Sequence, residues 1–219
     1  MEKEEVFSIM GKYYGNAYYR DKDLTHADAV VITNILDQIN SLGYYFSNLH
    51  KLTSIKDIRF IDILIQSYKE NENIISKGLK MSIVRGLHFR GYDQAVPFLL
   101  EVYHSKESAS DRNFKFGVSS AIERVFSKKY LDDYLKIIMA PDYTKCDCIY
   151  SLLCKMKEGR AYQRIIDLVK VYPDEFKFSF LQDAWKFKKQ EMIPYFSFFL
   201  NDPNTEIRTM AKHAIKKVS

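Results

Sequence analysis

Few residues in this chain are placed to do chemistry. Cys146, Cys148 and Cys154 crowd one stretch in a C-x-C-x₅-C spacing. Thiolates bind zinc well, but a closed site needs four donors. No neighbouring His or second Cys pair supplies them. Helical small-residue packing is the better reading, and no metal ligand is assigned. His26, His50, His88, His104 and His213 are scattered, with no H-x-x-x-H or His-Glu pair. The phosphate-cradling GxxxxGK[ST], the dinucleotide GxGxxG and the nucleophile-bearing GxSxG are absent. The adjacent carboxylates Asp132 and Asp133 precede Tyr134 near a helix start, where negative charge complements the helix dipole. No catalytic residue and no cofactor are therefore expected.

Other side chains suit binding. Arg208, Lys212 and Lys216 stand at i, i+4 and i+8, with Lys217 beside them. One cationic helix face results. It suits solvent, or phosphate and acidic-partner contacts through Lys212 and Lys216. Phe178 and Trp185 lie seven residues apart, which at about 100° per residue places them on one helical face. With Lys189 they form a candidate anchor site for a partner, since aromatic side chains dominate interface hot spots.

The elements that must carry these residues are helical. The chain has 219 residues, 47% hydrophobic and 15% aromatic, with only 8 Gly and 5 Pro. That composition supplies a core and argues against a turn-rich β-sandwich. Its formal charge of +5, from 33 basic and 28 acidic residues, is too mild to identify a nucleic-acid binder. The acidic start, MEKEEVFSIM, is unlike a secretory signal, and no long uncharged apolar run predicts a membrane span. Three cysteines in one region predict reduced thiols and a cytoplasmic setting rather than a disulfide framework.

Along the chain, Val6, Met10, Tyr13, Tyr14 and Ala17 form a helical stripe. Thr25 and Asp28 make a capping pair for a helix carrying Val31, Ile35, Leu36, Ile39 and Leu42, and Gly43 stops it. Residues 44–53 read as a loop with one short helical turn. Ser54 and Asp57 suggest a capped helix with Ile58, Ile61, Ile65 and Tyr68 on one face. A further helix carries Ile75, Leu79, Ile83 and Leu87. Helix pairs then follow at roughly 55–89, 93–126, 130–157, 161–188 and 191–218. Pro97 and Pro194 occupy like positions 97 residues apart, and Pro141, Pro173 and Pro203 recur at intervals of 32 and 30. Proline is tolerated in a first helical turn, so its recurrence marks a repeat, and a period in this range points to a solenoid.

The last pair, in residues 190–219, breaks at Asn201-Asp202-Pro203-Asn204. Its pattern of Asp202, Pro203, Asn204, Glu206, Ile207, Arg208, Ala211, Ala214 and Ile215 resembles a HEAT repeat. The resemblance implies an all-α superhelix of about five HEAT-like pairs in one domain, 1–219. Residues 1–53 would be N-terminal capping helices and 54–219 the repeats. It further implies that Arg208 serves structure by bonding acidic groups near the turn, Asp202 being the local one. Second helices would line a concave face, with Ala214 facing a neighbouring helix.

Absence of catalytic motifs fits a non-enzymatic interaction module. An adaptor, a scaffold or a bacterial immunity-type inhibitor would bind a protein partner on that concave face. The alternative is a DNA-binding protein. Bacterial alkylpurine DNA glycosylases use a HEAT-like superhelix with an Asp and aromatics in a basic groove, and Tyr143 and Asp147 have an i, i+4 spacing that resembles such a pair. HEAT-like metalloenzymes of the deoxyhypusine hydroxylase type require repeated His-Glu pairs, which this sequence lacks.

Overall fold

The computed structural model describes residues 25–141, 143 and 148–219. The stripe from Val6 to Ala17, Cys146 and Asp147 lie outside them. Regular structure among the described residues is helical throughout, with no strand. Contacts divide the chain into two compact units, parting after Ser127.

In the first unit, α1 (His26–Ser41) opens on the expected capping box: Thr25 Oγ1 accepts from Asp28 N and Asp28 Oδ2 accepts from Thr25 N, both at 3.0 Å. Asp28 is fully buried, and its Oδ1 also accepts from Ser76 N at 2.8 Å, 48 residues away. Gly43, at φ +95°, adopts a left-handed conformation that is costly for other residues and ends the helical run. A 3₁₀ turn at Leu49–Thr53 interrupts the loop that follows.

The next helix, α2 (Phe60–Asn71), starts later than its sequence suggests. The Ser54 hydroxyl donates to Lys51 O at 2.9 Å instead of capping, whereas Asp57 accepts from Arg59 N at 2.9 Å, a capping bond to the turn that leads into α2, and also from Arg59 Nε and from the Tyr44 hydroxyl, at 2.7 Å. Ile58 lies in that turn, outside the helix, and is 54% exposed, while Phe60, Ile61, Leu64 and Tyr68 form the buried face. Ser76 caps α3 (Lys77–Gly86) through Leu79 N. A side chain at Gly86 would meet Leu64 Cδ1 at 2.8 Å, so glycine permits the close approach of α2 and α3. The region expected as one pair at 93–126 holds α4 (Val96–Tyr103), a short α5 (Lys106–Ser110) and α6 (Arg112–Val125). Helix α2 packs on α3, α4 packs on α6, and α3 packs on α6.

The second unit comprises α7 (Leu131–Met139), α8 (Ile149–Met156), α9 (Tyr162–Val171), α10 (Pro173–Asp183), α11 (Ile193–Ser197) and α12 (Thr205–Val218). Helices α8, α10 and α12 contact one another in series, while α7, α9 and α11 pack on α8, α10 and α12 respectively. Pro97, Pro173 and Pro194 each occupy a first helical turn. Pro203 instead lies in the turn, and Asn204 caps α12 by accepting from Glu206 N at 2.8 Å. Buried Ala211 and Ala214 let α12 approach the row, and the Phe180 ring sits 4.9 Å from that of Phe196. Burial of such a ring contributes about 1.5–3 kcal/mol.

Candidate functional site

The single helical face expected to carry Phe178 and Trp185 is interrupted. Helix α10 ends at Asp183, a 3₁₀ turn covers Ala184–Phe187, and Lys188 takes a left-handed conformation at φ 57°. The tighter turn alters the angular register after Asp183, so Phe178 and Trp185 do not share one α-helical face. Phe178 stands on α10 with 48% of its surface exposed and no ring–ring partner among the described residues. Phe176 is buried, with its ring centroid 6.2 Å from that of Tyr143 and 5.5 Å from that of Tyr150.

Two interactions hold the 3₁₀ turn. Trp185 Nε1 donates to Gln182 O at 2.8 Å, satisfying a carbonyl at the helix end. Asp183, 2% exposed, accepts from the Ser151 hydroxyl of α8 and from the Lys186 ammonium. Burial pushes the neighbouring Tyr150 hydroxyl and Cys154 thiol well above their ordinary pKa values. Cys154 is therefore an unreactive core thiol. Neither Cys148 nor Cys154 is in a disulfide, and no cluster of three His, Cys, Asp or Glu able to hold a metal occurs among the described residues.

Trp185, half-buried, is the centre of a cationic cluster. The ammonium groups of Lys188, Lys217 and Lys186 lie 5.4, 5.6 and 5.8 Å from its ring centroid. The His213 ring meets it edge-on, with centroids 6.1 Å apart. Each cation–π contact of this kind contributes about 0.5–1 kcal/mol. Residues 184–189 thus lie against α12, bringing together lysines distant in sequence. Lys189 points elsewhere. Its ammonium sits 3.8 Å from the Tyr162 ring centroid and 3.5 Å from Glu191. The expected trio of Phe178, Trp185 and Lys189 is therefore not one cluster. Lys186, Lys188, His213 and Lys217 take its place around Trp185.

Lys212 and Lys216 are exposed on α12. On an α-helix they fall about 100° and 60° to one side of His213, continuing the cationic face away from Trp185. Arg208 has its guanidinium committed to the turn. Nη1 donates to the carbonyls of Asp202 at 2.7 Å and Pro203 at 2.9 Å, and Nη2 to Thr205 Oγ1 at 2.7 Å. Its partner at Asp202 is thus the backbone oxygen rather than the carboxylate. That carboxylate accepts from Asn204 N at 2.8 Å and Lys177 at 3.0 Å, which hold its pKa below the usual range.

Tyr143 is only 7% exposed, and its hydroxyl accepts from Tyr150 N at 3.1 Å. It is part of the core around Phe176. Asp132, at the start of α7, pairs with Arg160 at 2.8 Å.

A second surface feature had no sequence signal. Val169, Lys170, Pro173, Pro194, Tyr195, Phe198 and Phe199 line an open cavity of about 340 Å³. Phe198 is 71% exposed at its rim. Among the described residues, no helix is long and apolar enough to cross a membrane. Comparison with known proteins adds no relative: no family model matches the chain, and no curated protein matches it.

Proposed function

We propose that this chain is a non-enzymatic, HEAT-like helical-repeat protein that binds a protein partner through the surface around Trp185. In this reading α8, α10 and α12 are second helices of successive repeats and line a concave face. Their contacts in series, with a first helix packed on each, support it. Arg208 and Asp202 then serve the turn that joins the last pair.

The observation that carries the proposal is the exposed part of Trp185 amid lysines, with half-exposed Phe178 on the preceding helix. Indole bodies with adjacent cations combine apolar area with steering charge, as binding hot spots do. The test is the double change Phe178→Ala, Trp185→Ala in the full chain, followed by melting and affinity capture from the native host. Lost capture at an unchanged melting temperature supports the site. Capture that survives refutes it, and recovery of DNA fragments in place of protein would favour the nucleic-acid alternative.

A further inference from the structure

Residues 184–189 and 208–219 carry seven Lys or Arg and no Asp or Glu. Only some of that charge is answered locally. Lys186 is paired with buried Asp183, and Lys189 lies near Glu191. Lys188 donates to a carbonyl, that of Lys217. Lys188, Lys212, Lys216 and Lys217 have no carboxylate within ion-pair distance among the described residues. Lys188 and Lys217 share one aromatic ring, at 5.4 and 5.6 Å, so the fold gathers like charges that repel. A counter-charged ligand relieves that repulsion and is attracted by it.

We propose that this patch docks an acidic, carboxylate-rich segment of the protein partner. The inference rests on the reading of Trp185 as a docking site and adds the partner's chemistry. Lys186, Lys188 and Lys217 surround Trp185, and Lys216 and Lys212 extend the positive face along α12. Carboxylates meet the lysines while apolar side chains of the same segment meet the exposed part of the indole. Two observations favour an acidic protein segment over nucleic acid. Single-stranded binding uses open ring faces on which bases stack. Here three ammonium groups already lie within 6 Å of the only indole, and His213 meets it edge-on. Phosphate recognition also favours the bidentate fork of arginine. The one arginine of these two segments, Arg208, is held by the turn carbonyls.

Trp185 is the only tryptophan in the chain, so its intrinsic fluorescence reports this patch directly. The full chain is titrated with a poly-glutamate oligomer and, separately, with single-stranded and with duplex DNA. Poly-glutamate should shift the Trp185 emission saturably, with affinity falling as salt rises. Lys188→Glu with Lys217→Glu should weaken it about tenfold or more, and Lys188→Gln with Lys217→Gln by a smaller factor. The control pair Lys128→Glu, Lys129→Glu should leave it unchanged. A flat titration, tighter binding to DNA than to poly-glutamate, or equal loss in the control overturns the proposal. If poly-glutamate fails while Phe178→Ala, Trp185→Ala still abolishes capture, the docking site stands and only the acidic chemistry falls. If capture survives that double change, the docking site itself fails.

Discussion

Asp183→Ala tests the support beneath Trp185. Asp183 is 2% exposed, and its carboxylate joins three elements: its own helix α10, Ser151 on α8, and Lys186 in the 3₁₀ turn. Removing it deletes a hydrogen bond from Ser151 to a charged acceptor, worth about 1.5–3 kcal/mol. It also deletes the ion pair with Lys186, whose side chain retains 24% exposure. That lysine can regain water, so this part is discounted to about 1 kcal/mol. Together the loss is about 3 kcal/mol, which for a chain of this size lowers the melting temperature by about 6–12 °C. Urea unfolding gives the free energy, and Trp185 fluorescence below the transition shows whether the turn loosens first. A cycle with Lys186→Met isolates the pair and should give a coupling of about 1 kcal/mol. The combined change Ser151→Ala, Asp183→Leu, Lys186→Met should recover much of the loss, because apolar groups can replace a buried polar cluster at little net cost. An Asp183→Ala protein within about 0.5 kcal/mol of the parent would refute this reasoning, because that is the effect expected of an ordinary surface change.

Further outcomes follow from the same geometry. Ala214 is fully buried between helices, so Ala214→Glu should cost several kcal/mol and be visible as a lowered or absent melting transition. Asp28→Ala removes acceptors from both Thr25 N and Ser76 N and should cost about 2–4 kcal/mol in denaturant unfolding, with Asp28→Asn intermediate. In acid, hydrogen bonding from Arg59 to Asp57 and from Lys77 to Asp111 depresses both carboxyl pKa values. Their contribution is present above the unfolded value of about 3.9 and lost as pH falls through the folded values, so Asp57→Asn should flatten the acid limb of stability. In alkali, burial pushes the Tyr92 hydroxyl up to about 12. Its contribution is present below the unfolded value of about 10 and lost as pH rises through the folded one, an effect that Tyr92→Phe should remove from alkaline melting curves.

Helical identity is legible in the sequence because apolar stripes such as that of α12 are local signals. Thr25 and Asp28 also act over three residues, and their box formed as read. Helix α2 starts later than Ser54 suggests because the Ser54 hydroxyl turns back to Lys51 O and the capping bond falls to Asp57, a choice that spacing does not reveal. The residues that surround Trp185 are not legible in the sequence. A constant 100° per residue assumes one α-helix, and the 3₁₀ turn after Asp183 ends that assumption. Lys188 and Lys217 meet over the indole only because residues 184–187 pack against α12, a contact about thirty residues apart in sequence. The cavity beside Phe198 likewise joins α9 to α11, and no motif in either helix announces it.

A partner seated on the Trp185 surface must shield that surface from solvent. Hydrogen exchange on the full chain, alone and with the captured partner bound, measures that shielding. Added protection should concentrate in residues 184–189 and along α12 around His213 and Lys217. Protection confined to the groove of Pro194, Tyr195 and Phe198, with residues 184–189 unchanged, would contradict docking at Trp185.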